Sequence, residues 1–192
     1  MEVKGLFLQK KCVTEGQFLQ DLKILLRKCQ LMSQIHGKQP AVVFDIDGTL
    51  VHNGSWETPI KSVIDFCNHC KDIGIATMIV TARGGWETNI ENTKKSLQKL
   101  GIQCDAMFFR NPSDHAIETF KTNVRRYLSN TLDFNVLMSL GDNAWDYGKY
   151  GGIGVHMDAH PASNAITYQL HSKHDDRGVK LPSLMVRGRA YE

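Results

Sequence analysis

Apolar positions fall at helical spacing over residues 15–34, where Phe18, Leu22, Leu25, Cys29 and Met32 follow at intervals of four, three, four and three. That spacing predicts an amphipathic helix with one apolar stripe. Gly37-Lys38-Gln39-Pro40 breaks it. Ala41–Phe44 is short and wholly apolar, the pattern of a strand buried on both faces. Thr58-Pro59 reads as the start of a second helix, with Thr58 as N-cap and Pro59 at the first helical position. Ile60, Val63, Ile64, Cys67 and Cys70 form its inner face, and Gly74 ends it. Further strands are expected at Ile75–Val80, Ala106–Phe109, Val136–Leu140 and Gly152–Met157, with a helix from Trp86 to Leu100. Residues 114–129 admit two readings. One is a single helix with Ile117, Phe120, Val124 and Leu128 inward. The other, preferred, keeps Ala116–Phe120 extended and starts a helix at Asn123 under a Thr122 cap. Residues 158–192 read as polar loop and extended tail.

Strands alternating with helices of this length predict an α/β fold, a doubly wound parallel sheet preceded by an N-terminal helix. The chain has 192 residues, enough for one core and a little more. Hydrophobic residues make up 42% and charged residues 22%, which excludes a disordered or fibrous protein. A net charge of +3 neither demands nucleic acid nor forbids it. No apolar run reaches membrane-span length, so no membrane association is expected. The opening residues MEVKGLFLQKKCVTEG do not read as a signal peptide. Five scattered cysteines suit a reducing, cytoplasmic setting better than a disulfide scaffold.

The chemistry-bearing residues sit where strands end. Ligands in an open α/β sheet bind beyond the carboxyl ends of its strands. The first buried strand runs into Asp45-Ile46-Asp47-Gly48-Thr49, whose two carboxylates point the same way if the segment is extended. The next ends in Thr81-Ala82-Arg83-Gly84-Gly85, where a hydroxyl, a guanidinium and backbone N–H groups could cradle an oxyanion. The fourth ends in Gly141-Asp142-Asn143-Ala144-Trp145-Asp146. Four acidic groups at one edge repel unless a cation intervenes, and oxygen donors favour Mg2+.

Phe44-Asp45-Ile46-Asp47-Gly48-Thr49-Leu50-Val51 resembles the first motif of the haloacid dehalogenase-like (HAD) phosphatases. Thr81 is similar to their second motif, and Gly141-Asp142 through Asp146 to their fourth. Lys121 in Phe120-Lys121-Thr122, followed by Arg125 and Arg126, resembles the third motif of the class B and plant-type acid phosphatase group. Val179-Lys180-Leu181-Pro182 resembles a segment that closes many such chains. The resemblance spans about residues 39–185, flanked by a helical segment 1–38 and a tail 186–192. Gly48-Thr49 departs from the Glu-Thr often found in that group.

The resemblance implies a Mg2+-dependent phosphomonoester hydrolase. Asp45 would be the nucleophile that forms an aspartyl-phosphate, and Asp47 the acid and then the base. Thr81 and backbone N–H groups would hold phosphoryl oxygens, and Lys121 would offset their charge. Mg2+ ligands would be Asp45, the backbone carbonyl of Asp47, and Asp142, with Asp146 orienting Lys121 or a water. Thr49, Arg83 and Arg125 are the candidate substrate-binding residues.

The intervals from Asp45 to Thr81 and from Thr81 to Lys121 are each consumed by expected helix and strand, leaving no room for a cap domain. An open, capless site would admit a nucleotide, a nucleic-acid end or a phosphoprotein, unless the N-terminal helix or a second subunit of a homo-oligomer covers it. A polynucleotide 3′-phosphatase or nucleotidase is the alternative of the same chemistry. A non-catalytic phosphate-binding or storage protein is the alternative of another class. Arg110, Arg125 and Arg126 could form an anion-binding rim, though a solvated helix face explains the last two equally. Trp86 and Trp145 flank the motifs and are expected in the core rather than against a base. Cys67-Asn68-His69-Cys70 is expected to pack in the core. His156–His160 and His171–Asp176 are expected to be loop and solvated surface.

Overall fold

The structure is a computed structural model that describes residues 10–33, 37–114, 116–171 and 186–187. The chain runs β1 (Lys11–Thr14), α1 (Glu15–Ser33), β2 (Gln39–Phe44), α2 (Lys61–Asp72), β3 (Ala76–Gly84), α3 (Glu87–Lys99), β4 (Ala106–Arg110), α4 (Ile117–Asn130), β5 (Phe134–Gly141), β6 (Ile153–His160), β7 (Ala165–His171) and β8 (Val186–Arg187). Every short apolar run becomes a strand whose side chains alternate between two dry faces. In β2, Val42 and Phe44 join a core with α1, α2 and α3, whereas Ala41 and Val43 pack with α4 on the other side. The sheet is therefore wound on both faces, and the expected α/β class holds.

Strand order is β1-β7-β6-β5-β2-β3-β4-β8. The five central strands, β6 through β4, are parallel. Chain order reverses between β2 and β5, which makes the carboxyl ends of these two strands the switch point where such sheets open a crevice.

The ends of the sheet differ from expectation. Residues 158–171, read as loop, continue β6 and return as β7 in an antiparallel hairpin, and β1 pairs antiparallel with β7. The two histidines of His156–His160 therefore lie on a strand. At the other edge, Ala106 and Met107 of β4 pair antiparallel with β8, so the expected tail begins with a strand. Val179–Pro182 lies outside the described residues.

Two helix starts also differ. Residues 117–130 form one helix, so Thr122 lies in its interior and caps nothing. Phe120, Val124 and Leu128 are fully buried, and burying that continuous stripe outweighs the capping preference of one threonine. α2 begins at Lys61 with no cap from its own neighbours. A carboxylate oxygen of Glu15, from α1, accepts the Ser62 N–H at 2.9 Å instead. Thr58 is used in the preceding loop, its hydroxyl donating to the carbonyls of His52 and Ser55. Cys67 and Cys70 lie in the core as expected, and burial pushes the Cys70 thiol up to about 12.

Candidate active site

Asp45 follows the last residue of β2, and its N–H donates to the Leu140 carbonyl of β5 at 3.1 Å, so it stands at the switch point. Asp142 follows β5 directly. Asp146 closes a short 3-10 turn, Ala144–Asp146, whose capping box pairs Asn143 with Asp146 in both directions. Carboxylate oxygens of Asp45, Asp142 and Asp146 all lie within 4.8 Å of one another. Two close approaches require glycine. A Cβ on Gly48, at φ +77°, would sit 2.3 Å from Asp142 Oδ2, and one on Gly141 would sit 2.0 Å from the Asp146 Cβ.

Lys121 enters from α4, buried to 1% exposure. Its ammonium donates to Asp45 Oδ1 at 2.6 Å and also to Asp146 Oδ1. Burial opposes its charge, but the two carboxylates outweigh burial and hold its pKa above the lysine value. One cation is too little for three carboxylates. Burial, reinforced by Asp146, lifts Asp45 to about 7 despite Lys121, and burial with Asp146 also raises Asp142. Three hard oxygen donors, held close and short of positive charge, fit a divalent cation of the Mg2+ type.

Asp47 does not join this cluster, so three of the expected four acids converge. The chain leaves extended geometry after Asp45: Leu50 N–H reaches back to Ile46 O at 2.8 Å, and Gly48 turns the backbone. The two-residue alternation that would align Asp45 and Asp47 therefore does not apply. Asp47 meets Arg83, whose Nε donates to Oδ2 at 2.9 Å and whose Nη2 donates to Oδ1 at 2.5 Å.

Thr81 is wholly buried near the end of β3, its hydroxyl oxygen accepting the Arg83 N–H at 3.2 Å. Thr49 is wholly buried, and its hydroxyl has no hydrogen-bond partner among the described residues. Arg125 is no rim residue. It is 1% exposed, and its guanidinium donates to the carbonyls of Lys149, Trp145 and Asp146 at 3.1, 2.9 and 3.0 Å. Lys121 and Arg125 are four residues apart in one helix, so both face inward. Arg126 is half-buried. Trp86 and Trp145, expected in the core, are 56% and 37% exposed.

Sequence reasoning missed Trp56, over whose ring the Arg83 guanidinium lies at 4.3 Å. It also missed the wall built by the β6–β7 hairpin. There a cavity of about 210 Å³ adjoins Asp142, lined by Lys10, His156, Asp158, Thr167 and Gln169 among others. The alternation of buried Ile166, Tyr168 and Leu170 was the available signal for that hairpin.

Residues 51–185 match the family model of the HAD superfamily, subfamily IIIB (acid phosphatase). No curated protein sequence matches the chain. Among solved structures, the class C acid phosphatase from Bacillus anthracis is similar at 18% identity and a TM-score of 0.52. The likeness covers 70% of this chain and 64% of that one, and it is a likeness of fold.

Proposed function

Because the chain belongs to the HAD superfamily, subfamily IIIB (acid phosphatase), we propose that it hydrolyses phosphomonoesters with Mg2+ as cofactor and Asp45 as nucleophile. The observation that carries this reading is the buried Lys121 ammonium joining Asp45 to Asp146 at the sheet's switch point, with Asp142 beside them.

An Asp45 carboxylate oxygen attacks phosphorus as the ester P–O bond breaks, leaving an aspartyl-phosphate. Asp47 gives a proton to the departing oxygen. It then takes one from the water that attacks phosphorus, releasing phosphate and regenerating Asp45. Lys121 offsets the charge spread over the phosphoryl oxygens. Thr81 and nearby backbone N–H groups are the candidates to hold those oxygens. Asp45, Asp142 and the Asp47 carbonyl would hold Mg2+, while Asp146 orients Lys121, whose ammonium donates to it. Bound there, the ion would supply positive charge against the transferring group.

Neither the Asp45–Thr81 nor the Thr81–Lys121 interval carries an inserted unit among the described residues, which supports a capless, open site. The exposure of Trp86 and Trp145 favours substrates with an aromatic base, a nucleotide or nucleic-acid end, because a free indole offers a stacking face. Among the described residues no helix is long and apolar enough to cross a membrane.

A hydrolysis panel with Mg2+ tests the reading: p-nitrophenyl phosphate, glycerol phosphate, mononucleotides, 3′-phosphorylated DNA and a phosphopeptide. Turnover that EDTA abolishes and Asp45→Asn lowers by orders of magnitude supports it. Turnover unaffected by either overturns it, and binding of phosphate without turnover of any substrate favours a storage protein.

A further inference from the structure

We propose that Arg83 is a positioning residue that acts through Asp47 rather than a phosphate-binding residue in its own right. The inference rests on the phosphatase reading above and deepens it. Arg83 stands where β3 breaks register with β4, between Thr81 and Gly84, and its own N–H is tied to the Thr81 hydroxyl. From that anchored backbone the side chain reaches the loop after β2. Its Nε and Nη2 take one Asp47 oxygen each. Nη2 also lies 3.3 Å from the Gly54 carbonyl, and the guanidinium plane rests over Trp56. This forked, side-on pairing is one that guanidinium makes and ammonium cannot.

Asp47 has a 41% exposed side chain on a turn. Among the described residues its carboxylate is bonded by no other side chain than Arg83. Without that fork a half-exposed carboxylate samples several rotamers. A group that must pass a proton to a leaving oxygen loses rate steeply when displaced by even an ångström. The guanidinium is meanwhile engaged on its Nε–Nη2 edge and on one face, which leaves it poorly placed to serve as the main phosphate clamp.

The test is a double-mutant cycle of wild type, Arg83→Ala, Asp47→Asn and the double variant, assayed with Mg2+ on 2,4-dinitrophenyl phosphate and on glycerol phosphate. The first leaving group departs without protonation and the second needs it. Arg83→Ala is expected to cost roughly 10²-fold in kcat/KM on glycerol phosphate, the scale of a lost acid–base contribution, and under about tenfold on the dinitrophenyl ester. On the dinitrophenyl ester the double variant is expected within about twofold of Asp47→Asn, because a residue acting through another has nothing left to act on. Arg83→Lys keeps a cation over Trp56 should Ala fail to fold, and it is expected to show the same leaving-group dependence. Multiplicative losses in the cycle, equal losses on both esters, or full rescue by lysine would each overturn the inference and return Arg83 to phosphate binding. A wild type inactive on every ester removes the phosphatase reading and this inference together. An active wild type with an additive cycle removes only the inference.

Discussion

Lys121 and Arg125 lie one turn apart on the same buried stripe of α4 and have different duties. Lys121 reaches the carboxylates, whereas Arg125 pins the backbone that carries Asp146. Lys121→Ala is expected to cost roughly 10²-fold or more in kcat on every ester, the scale of a lost preorganised charge contact, with the fold confirmed by circular dichroism. Near wild-type turnover would contradict its role. Arg125→Ala leaves three carbonyl oxygens without their donor and is expected to cost about 3 kcal/mol of stability. In a chain of this size that lowers Tm by roughly 10 °C in a thermal melt. An Arg125→Ala protein that melts like wild type but binds extended substrates weakly would restore the rim reading. Asp45, Thr81 and Asp142 were readable because each stands at a strand end flagged by an apolar run, whereas Lys121 on α4 was found through the family resemblance. The partition between these two cations was not readable, because it depends on where α4 begins. A threonine that could cap drew the boundary six residues too late.

At the level of elements, the five parallel strands and the first three helices were legible, since a fully buried strand needs only a short apolar run and each helix carries one stripe. The β6–β7 hairpin was obscured by its polar face: His156, Asp158 and His160 alternate with Met157 and Ala159, and the eye stops at the charges. Its inward side still carries Ile166, Tyr168 and Leu170, and Tyr168 stacks obliquely on Phe18 of α1 at 5.0 Å. The Tyr168 hydroxyl donates to Asp21 Oδ2 at 2.6 Å, which fastens β7 to α1. Tyr168→Phe removes that bond alone and is expected to cost about 1 kcal/mol in a urea titration, with the midpoint lowered and the slope unchanged. A midpoint identical to wild type would mean that ring packing alone holds the two elements together.

For the molecule as a whole, the three clustered carboxylates are a source of repulsion that a bound cation relieves. Mg2+ at about a hundred times its Kd is expected to stabilise the fold by roughly 2.7 kcal/mol, raising Tm by several degrees. EDTA should reverse the shift and Asp142→Asn should lose most of it, both read by scanning fluorimetry without any substrate. A Tm indifferent to millimolar Mg2+ would count against a metal at this site. The sheet order carries a consequence for how the chain is made. α1 leaves the ribosome before β7, since its partner Tyr168 lies 147 residues downstream of Asp21. β1 likewise waits for β7, because Lys11 pairs with Tyr168. At a synthesis rate of about 5–20 residues per second, the apolar stripe of α1 therefore lacks its β7 cover for several seconds in a cell. A stalled nascent chain ending before β7 should be cut by protease within α1, and one extended past His171 and clear of the exit tunnel should resist. The side of α1 that meets β7 is thus covered only after β2 to β6 have been made, and that interval is when this protein most needs a chaperone.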